Sequence, residues 1–342
     1  EMSFVHRAGN GSKGWRGPVS VNSHTRVTAE NSALAGGRFP AFQGLAGRWL
    51  LSGYFVGVWG AGFVASRIAL QYAAPFTYIG VRYAIAFVVA MLAFGLRAAW
   101  PTSRAQWGHV AVAGLLSHAG YLGGSHYAQR WGLSAGVTAL ILALQPLLTA
   151  VAVSRWLHVR LSRLQMLGVG IGLAGVALVV AHRIDGGTIS AVSLLAVAWA
   201  LACVTGGTLY QRQFCASVDL RSAVCIHFAA TAAVMLPLGA MVEGFDIEWN
   251  RQIVLTLLYH VVLASIGAYS ILHLLLRRGE ATGVTSLLYL TPPVAAICEW
   301  AIFGAAPTAT MWLGMAIAGI GVAMVTRNRA AMPSRPVIEE LS

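Results

Sequence analysis

Two stretches decide the fold: HYAQRWGLSAGVTAL at residues 126–140 and HLLLRRGEATGVTSL at residues 273–287. At an offset of 147 they share His126/His273, Arg130/Arg277, Gly132/Gly279, Gly136/Gly283, Val137/Val284, Thr138/Thr285 and Leu140/Leu287. Pro146 then falls on Pro293. The register continues, shifted by one, into LGVGIGLAGVALVV and LGMAIAGIGVAMVT, where Gly168 meets Gly314 and Gly175 meets Gly321. Further back, RYAIAF at Arg82 meets HFAATA at His227. Agreement at this density marks an internal duplication.

The surroundings of both stretches are apolar. Of the 342 residues, 57% are hydrophobic and 10% charged, against about 25% charged in soluble proteins. That charge cannot cover a soluble surface. Runs long enough to cross a bilayer, about 20 residues each, lie near 49–66, 73–96, 107–129, 131–154 and 164–181. A second set lies near 189–211, 222–242, 252–276, 281–303 and 309–326. Only a helix satisfies its own backbone within one such run. The expected fold is therefore an all-α polytopic membrane protein with ten transmembrane helices. An odd number of spans per copy turns the second copy over, giving two inverted five-helix repeats. Inverted repeats are a recurrent plan for transporters, with a site near the midplane. The expected divisions are a disordered tail at 1–47, rich in Gly, Ser, Asn and Arg, repeats at 48–185 and 186–327, and a cytoplasmic tail at 328–342.

The net charge is +12. A basic chain suggests nucleic-acid binding, but here the basic residues stand singly or in pairs between apolar runs. With the N-terminus in the cytoplasm, 18 of the 23 fall on the cytoplasmic side. Four (Arg67, Arg130, Arg183, Arg251) fall opposite, and Arg82 lies within a span. The positive-inside rule then sets both termini in the cytoplasm of a bacterial inner membrane. Lipid is the expected surrounding, and nucleic acid is not an expected partner.

Functional groups inside the spans are few. Arg82 is a charge that must face the bundle interior or water. It reads either as an anion-binding residue or as one snorkelling to an interface. Glu299 is the one carboxylate well inside a span, a candidate proton carrier that also sits close enough to its helix end to reach the interface. His126 and His273 form a symmetric pair suited to relaying protons or to interhelical hydrogen bonds. Pro146, Pro292 and Pro293 break their helices in mid-span, which in transporters exposes carbonyls to a cavity. Trp59, Tyr121, Gln145, Tyr269 and Tyr289 are candidates to line it.

Gly170–Gly175 fits G-x-G-x-x-G but lies inside an apolar run, with no strand before it. It reads as a packing face, with Gly168 and Gly172 in small-xxx-small spacing. Cys203, Cys215, Cys225 and Cys298 have no metal-site spacing and are expected reduced and packed. No nucleophile–base pair suggests an enzyme, and no cofactor or metal is expected.

The chain resembles the EamA family of the drug/metabolite transporter superfamily, over about residues 49 to 326. VWGAGF at 58–63, the Arg82 helix, SAGVTALILALQPLLTA at 134–150 and LSRLQMLGVGIGLAGVALVV at 161–180 carry the resemblance in the first repeat. GVTSLLYLTPPVAAI and the Gly314–Val325 helix carry it in the second. The resemblance implies export of amino acids, related metabolites or drugs by alternating access, driven by protons, with a homodimer as one assembly. A non-transporting scaffold or sensor of the same fold is the alternative. The chain departs from the family where a glutamate is usual before the fifth and tenth helices: here stand Val159 and Ala305.

Overall fold

The structure, a computed structural model, describes residues 45–156, 160–185, 189–268 and 288–327. His273, Tyr269 and Val159 lie outside the described residues, as do the two tails expected at 1–47, except 45–47, and at 328–342. Contacts divide the chain after Leu50, and the second unit, Leu51–Ser342, holds the bundle and its cavities.

Among the described residues the elements are helical. In chain order they are α1 (Leu45–Ala69), α2 (Pro75–Phe94), α3 (Arg104–Gly114), α4 (Tyr121–Arg130), α5 (Ala135–Leu142) and α6 (Gln145–Trp156). There follow α7 (Arg163–Asp185), α8 (Ala191–Phe214), α9 (Leu220–Glu243), α10 (Arg251–Leu258), α11 (Thr291–Phe303) and α12 (Ala309–Arg327). A π-helical stretch, Leu115–Gly120, joins α3 to α4, and another, Tyr259–Ala268, follows α10. Six segments are long and apolar enough to cross a membrane: Pro75–Arg97, Ala135–Arg155, Arg163–Ile184, Ala191–Phe214, Leu220–Glu243 and Ala309–Thr326. Two shorter apolar helices are Arg251–Ser265 and Thr291–Phe303.

The connectors carry the start signals. Ser103, Ser134, Ser190 and Asn250 each cap the following helix, their side-chain oxygens accepting an amide three residues on at 2.9–3.3 Å. Asp219 accepts from Arg221 at the start of α9. Such caps satisfy amides that the helix itself leaves free. Gly244 and Gly304 end α9 and α11 at φ of +64° and +72°, backbone that glycine adopts without strain.

Packing within the bilayer relies on close approach of small residues. In α7 and α12 a Cβ on Gly168 would stand 2.7 Å from the Gly321 carbonyl, and one on Gly175 2.7 Å from the Gly314 carbonyl. The helices run antiparallel. Because Gly168 and Gly314 are duplicates, as are Gly175 and Gly321, each contact is the reversed copy of the other. The expected glycine packing face is thus seen, inside an unbroken helix, while Gly170 faces open space.

The prolines are one correction. The sequence places the breaks at prolines in mid-helix; the chain breaks just before them. Ala143 and Leu144 form a turn, and Pro146 is the second residue of α6. Pro292 and Pro293 open α11 after a 3-10 turn at Leu288–Leu290. A proline fits the first turn of a helix because its missing amide has no intrahelical partner there.

Candidate functional site

The break between α5 and α6 borders a cavity of about 90 Å³. Trp59 and Phe63 of α1, Tyr121 of α4, Gln145 and Pro146 of α6, and Thr291 of α11 line it. Its position follows from the backbone. Leu144 donates to the Ile141 carbonyl at 3.1 Å, a tightened turn, and Pro146 has no amide to offer Leu142. The Gln145 side chain donates from Nε2 to Thr208 Oγ1 at 2.8 Å, and Thr208 donates on to the Val204 carbonyl at 2.7 Å. Among the described residues, the buried Thr291 hydroxyl has no hydrogen-bond partner.

Beside this cavity lies a polar cluster centred on Arg82, which is 7% exposed. Its Nε has no hydrogen-bond partner, and its guanidinium carbon stands 5.1 Å from the Tyr83 ring centre. The Tyr83 hydroxyl lies 2.9 Å from His118 Nδ1, and the His118 ring is 5.5 Å from that of His227. The Tyr78 hydroxyl lies 2.8 Å from His260 Nδ1, while His260 Nε2 lies 3.2 Å from the Gly62 carbonyl. The Thr256 carbonyl also lies 2.9 Å from Nδ1, so the Nδ1–H tautomer donates there, whereas the Nε2–H tautomer donates to Gly62 and accepts from Tyr78 at Nδ1. His126 is buried with its ring 6.1 Å from that of Tyr78 and the Leu122 backbone as its polar neighbour. The Gln129 amide, one turn on, is buried and has no hydrogen-bond partner among the described residues. Tyr78, Tyr83, His118, His126 and His260, and Tyr121 of the cavity wall, lie near Arg82. No carboxylate pairs with it among the described residues. Buried polar groups without partners are costly, and here several gather around one cation.

The structure thus brings Trp59, Tyr121, Gln145 and Pro146 together, with Arg82 and His126 alongside. Pro292 and Pro293 follow directly on Thr291. Tyr289 packs against the main apolar core and is not part of the cavity wall. Glu299 lies elsewhere, toward the end of α11. Sequence reasoning missed Phe63, Thr208, Thr291 and Tyr78. Thr291 carried a signal, since it aligns with Leu144 at the duplicated break.

A larger groove of about 730 Å³ runs between α4, α8 and α9. Its walls include Gly124, Trp199, Met235 and Leu238, and Leu195 on its rim is 72% exposed. Its lining is almost entirely apolar, so it offers a polar solute little hold. The four cysteines are free, and three of them are buried. Burial pushes the Cys215 thiol, just past the end of α8, above its ordinary pKa.

The EamA-like transporter family profile matches residues 47–181 and again 189–327. Over 292 residues the chain is 26% identical to the "Uncharacterized transporter YvbV" of Bacillus subtilis, covering 82% of this chain and 92% of that one. It is 24% identical over 286 residues to the "Uncharacterized inner membrane transporter YedA" of Escherichia coli K12, covering 82% and 91%. A "Probable amino-acid metabolite efflux pump" of Salmonella typhimurium is 25% identical over 274 residues, covering 77% and 87%. A crystal structure of a further protein superposes with a TM-score of 0.57 at 20% identity, covering 81% of this chain and 96% of that one. That likeness concerns the fold.

Proposed function

The chain belongs to the EamA-like transporter family, and from that premise we propose that it exports a small organic metabolite, an amino acid or related compound, or a drug, across the bacterial inner membrane. It is a membrane-embedded, multi-pass transporter. The finer reading has ten spans in two inverted repeats. To the six long and two shorter apolar helices, α1 and the continuous α3–α4 segment add the remaining two. The reversed glycine contacts of α7 and α12 support a half-turn between the copies, and the antiparallel course of the two helices puts its axis in the membrane plane.

The observation that carries the transport reading is the cavity at the break between α5 and α6, walled by elements of both repeats. It is too small for a metabolite, as expected of a closed state in alternating access. Arg82, buried and without a counter-ion among the described residues, suits a solute with an anionic group. The charge distribution favours both termini in the cytoplasm. Proton coupling would draw on the buried histidines around Arg82, on the His126/His273 pair, or on Glu299. A homodimer is compatible with all of this.

The test is reconstitution into proteoliposomes loaded with a metabolite mixture, following efflux with and without a proton gradient. Gradient-dependent loss of particular solutes supports export; no solute lost under any gradient overturns it. The second reading, a non-transporting scaffold or sensor, is favoured by Ala305, which follows α11 where the family's glutamate is usual. That reading expects no solute movement and an unchanged phenotype when the cavity is filled.

A further inference from the structure

Glu299 stands eight residues after Thr291 on α11, with its side chain only 4% exposed. Its Oε1 accepts the Ala135 amide at 3.0 Å, and its Oε2 accepts the Gly136 amide at 3.0 Å. The Arg67 guanidinium of α1 pairs with Oε1 and lies 4.6 Å from the centre of the Phe303 ring. One carboxylate therefore joins α1, α5 and α11. The same three helices wall the cavity: Trp59 and Phe63 from α1, Ala139 and Leu142 from α5, Thr291 from α11. At 1.5 Å per residue the junction lies about 6 Å from the nearest cavity residue along α1 and α5 and about 12 Å along α11. All three distances run toward the same end of the bundle.

A second carboxylate acts at that end. Glu243, the last residue of α9, accepts the Phe76 and Thr77 amides at 3.0 and 2.8 Å and the Thr77 hydroxyl at 2.9 Å. Around it, Glu248 N donates to the Tyr72 carbonyl at 2.7 Å and Ala74 N to the Asp246 carbonyl at 3.0 Å. The two helices so joined, α2 and α9, are also tied at their other ends. There Arg221 donates to the Arg97 carbonyl at 3.0 Å and the Ala99 amide to Asp219 at 3.1 Å. The α2/α9 pair is therefore pinned at both ends. Among the described residues, α1, α5 and α11 are joined by side-chain hydrogen bonds or ion pairs only at Glu299.

We propose that Glu299 is a gating residue: the cavity opens toward the Glu299 end when α1 or α5 leaves this carboxylate, and is shut while all three donors hold it. The proposal rests on the transport reading for its purpose, not for its test. Both oxygens of the carboxylate are occupied as acceptors, with a cation beside one of them. Glu299→Gln keeps the shape, removes the charge and turns one acceptor into a donor facing other donors. Arg67→Gln removes the link to α1 alone and leaves Glu299 on its two amides.

The experiment is thiol labelling of the full-length chain in detergent, with the four native cysteines replaced by serine and Ala139→Cys in the cavity wall. Ala139 is 2% exposed, so a charged methanethiosulfonate reaches it slowly while the gate is shut. The expected result is labelling at least fivefold faster with Glu299→Gln, faster by a smaller factor with Arg67→Gln, and unchanged with Glu248→Gln, an exposed acid at the same end. Unchanged labelling in folded Glu299→Gln overturns the proposal. Should that variant not fold, unchanged labelling in Arg67→Gln overturns it. Faster labelling in a chain that moves no solute leaves the gate standing and removes the transport reading; vigorous transport with unchanged labelling does the reverse.

Discussion

Gly175 of α7 and Gly314 of α12 meet backbone to backbone: a Cβ on Gly175 would stand 2.5 Å from the Ala318 nitrogen and 2.7 Å from the Gly314 carbonyl. Backbone cannot step aside as a side chain can. Gly175→Val is therefore expected to lower stability by about 1–3 kcal/mol through overpacking. Gly170→Val, on the same helix with nothing within 4 Å, should lie within about 0.5 kcal/mol of the parent. Thermal unfolding in detergent compares the two; equal effects would mean that the seam does not hold the helices.

The cavity wall gives a functional prediction. Ala139→Phe fills a space of about 90 Å³ and should reduce solute efflux at least tenfold. Gln145→Leu loses its donor to Thr208, while Thr208 keeps its bond to Val204, so stability should fall by only about 1 kcal/mol. Efflux assays beside melting curves separate the two effects. Undiminished efflux in both variants would exclude this cavity as the path.

Arg82 makes a prediction with an unusual sign. Among the described residues no carboxylate balances its charge, so Arg82→Met should leave stability unchanged or raise it by about 1–3 kcal/mol, as when buried ions give way to apolar residues of similar size. Binding of anionic solutes should be lost at the same time. A melting temperature that falls sharply would reveal a structural partner for the guanidinium.

Tyr78 and His260 form a buried pair at 2.8 Å. Tyr78→Phe removes this contact, while His260 Nδ1 keeps the Thr256 carbonyl 2.9 Å away. The expected loss is about 1 kcal/mol, read from unfolding in the same detergent. An unchanged midpoint would mean that the ring turns to another acceptor or donor.

Orientation is open to a direct check. Alkaline phosphatase fused after Glu248 should be active, having crossed the membrane, and inactive when fused after Arg327. The opposite pattern would invert the charge argument.

Much of this was legible in the residues, and what was not has a physical cause. That the chain breaks near Pro146 and near Pro293 could be read because proline acts on its own backbone, but not that the break falls just before each proline. Trp59, Tyr121 and Gln145 were named only as candidate lining residues, and the cavity has them in its wall. The glycine face of α7 followed from spacing along one helix. Glu299 was different: its partners lie 163 and 164 residues away at Gly136 and Ala135, and no periodicity announces which helix start a carboxylate will reach. The same holds for Tyr78 and His260, 182 residues apart. The two π-helical stretches were also unseen, although Leu115–Gly120 shifted by the duplication offset falls inside Tyr259–Ala268.

The α7/α12 seam has one more consequence. Each half of the chain carries both faces of the contact, the edge it offers and the edge it accepts. Such a surface needs no second gene to complete it. Cut between residues 185 and 189 and produced as two polypeptides, the halves should reassemble in one bilayer, and a lone half retains everything it needs to clasp its own twin inserted in the opposite sense.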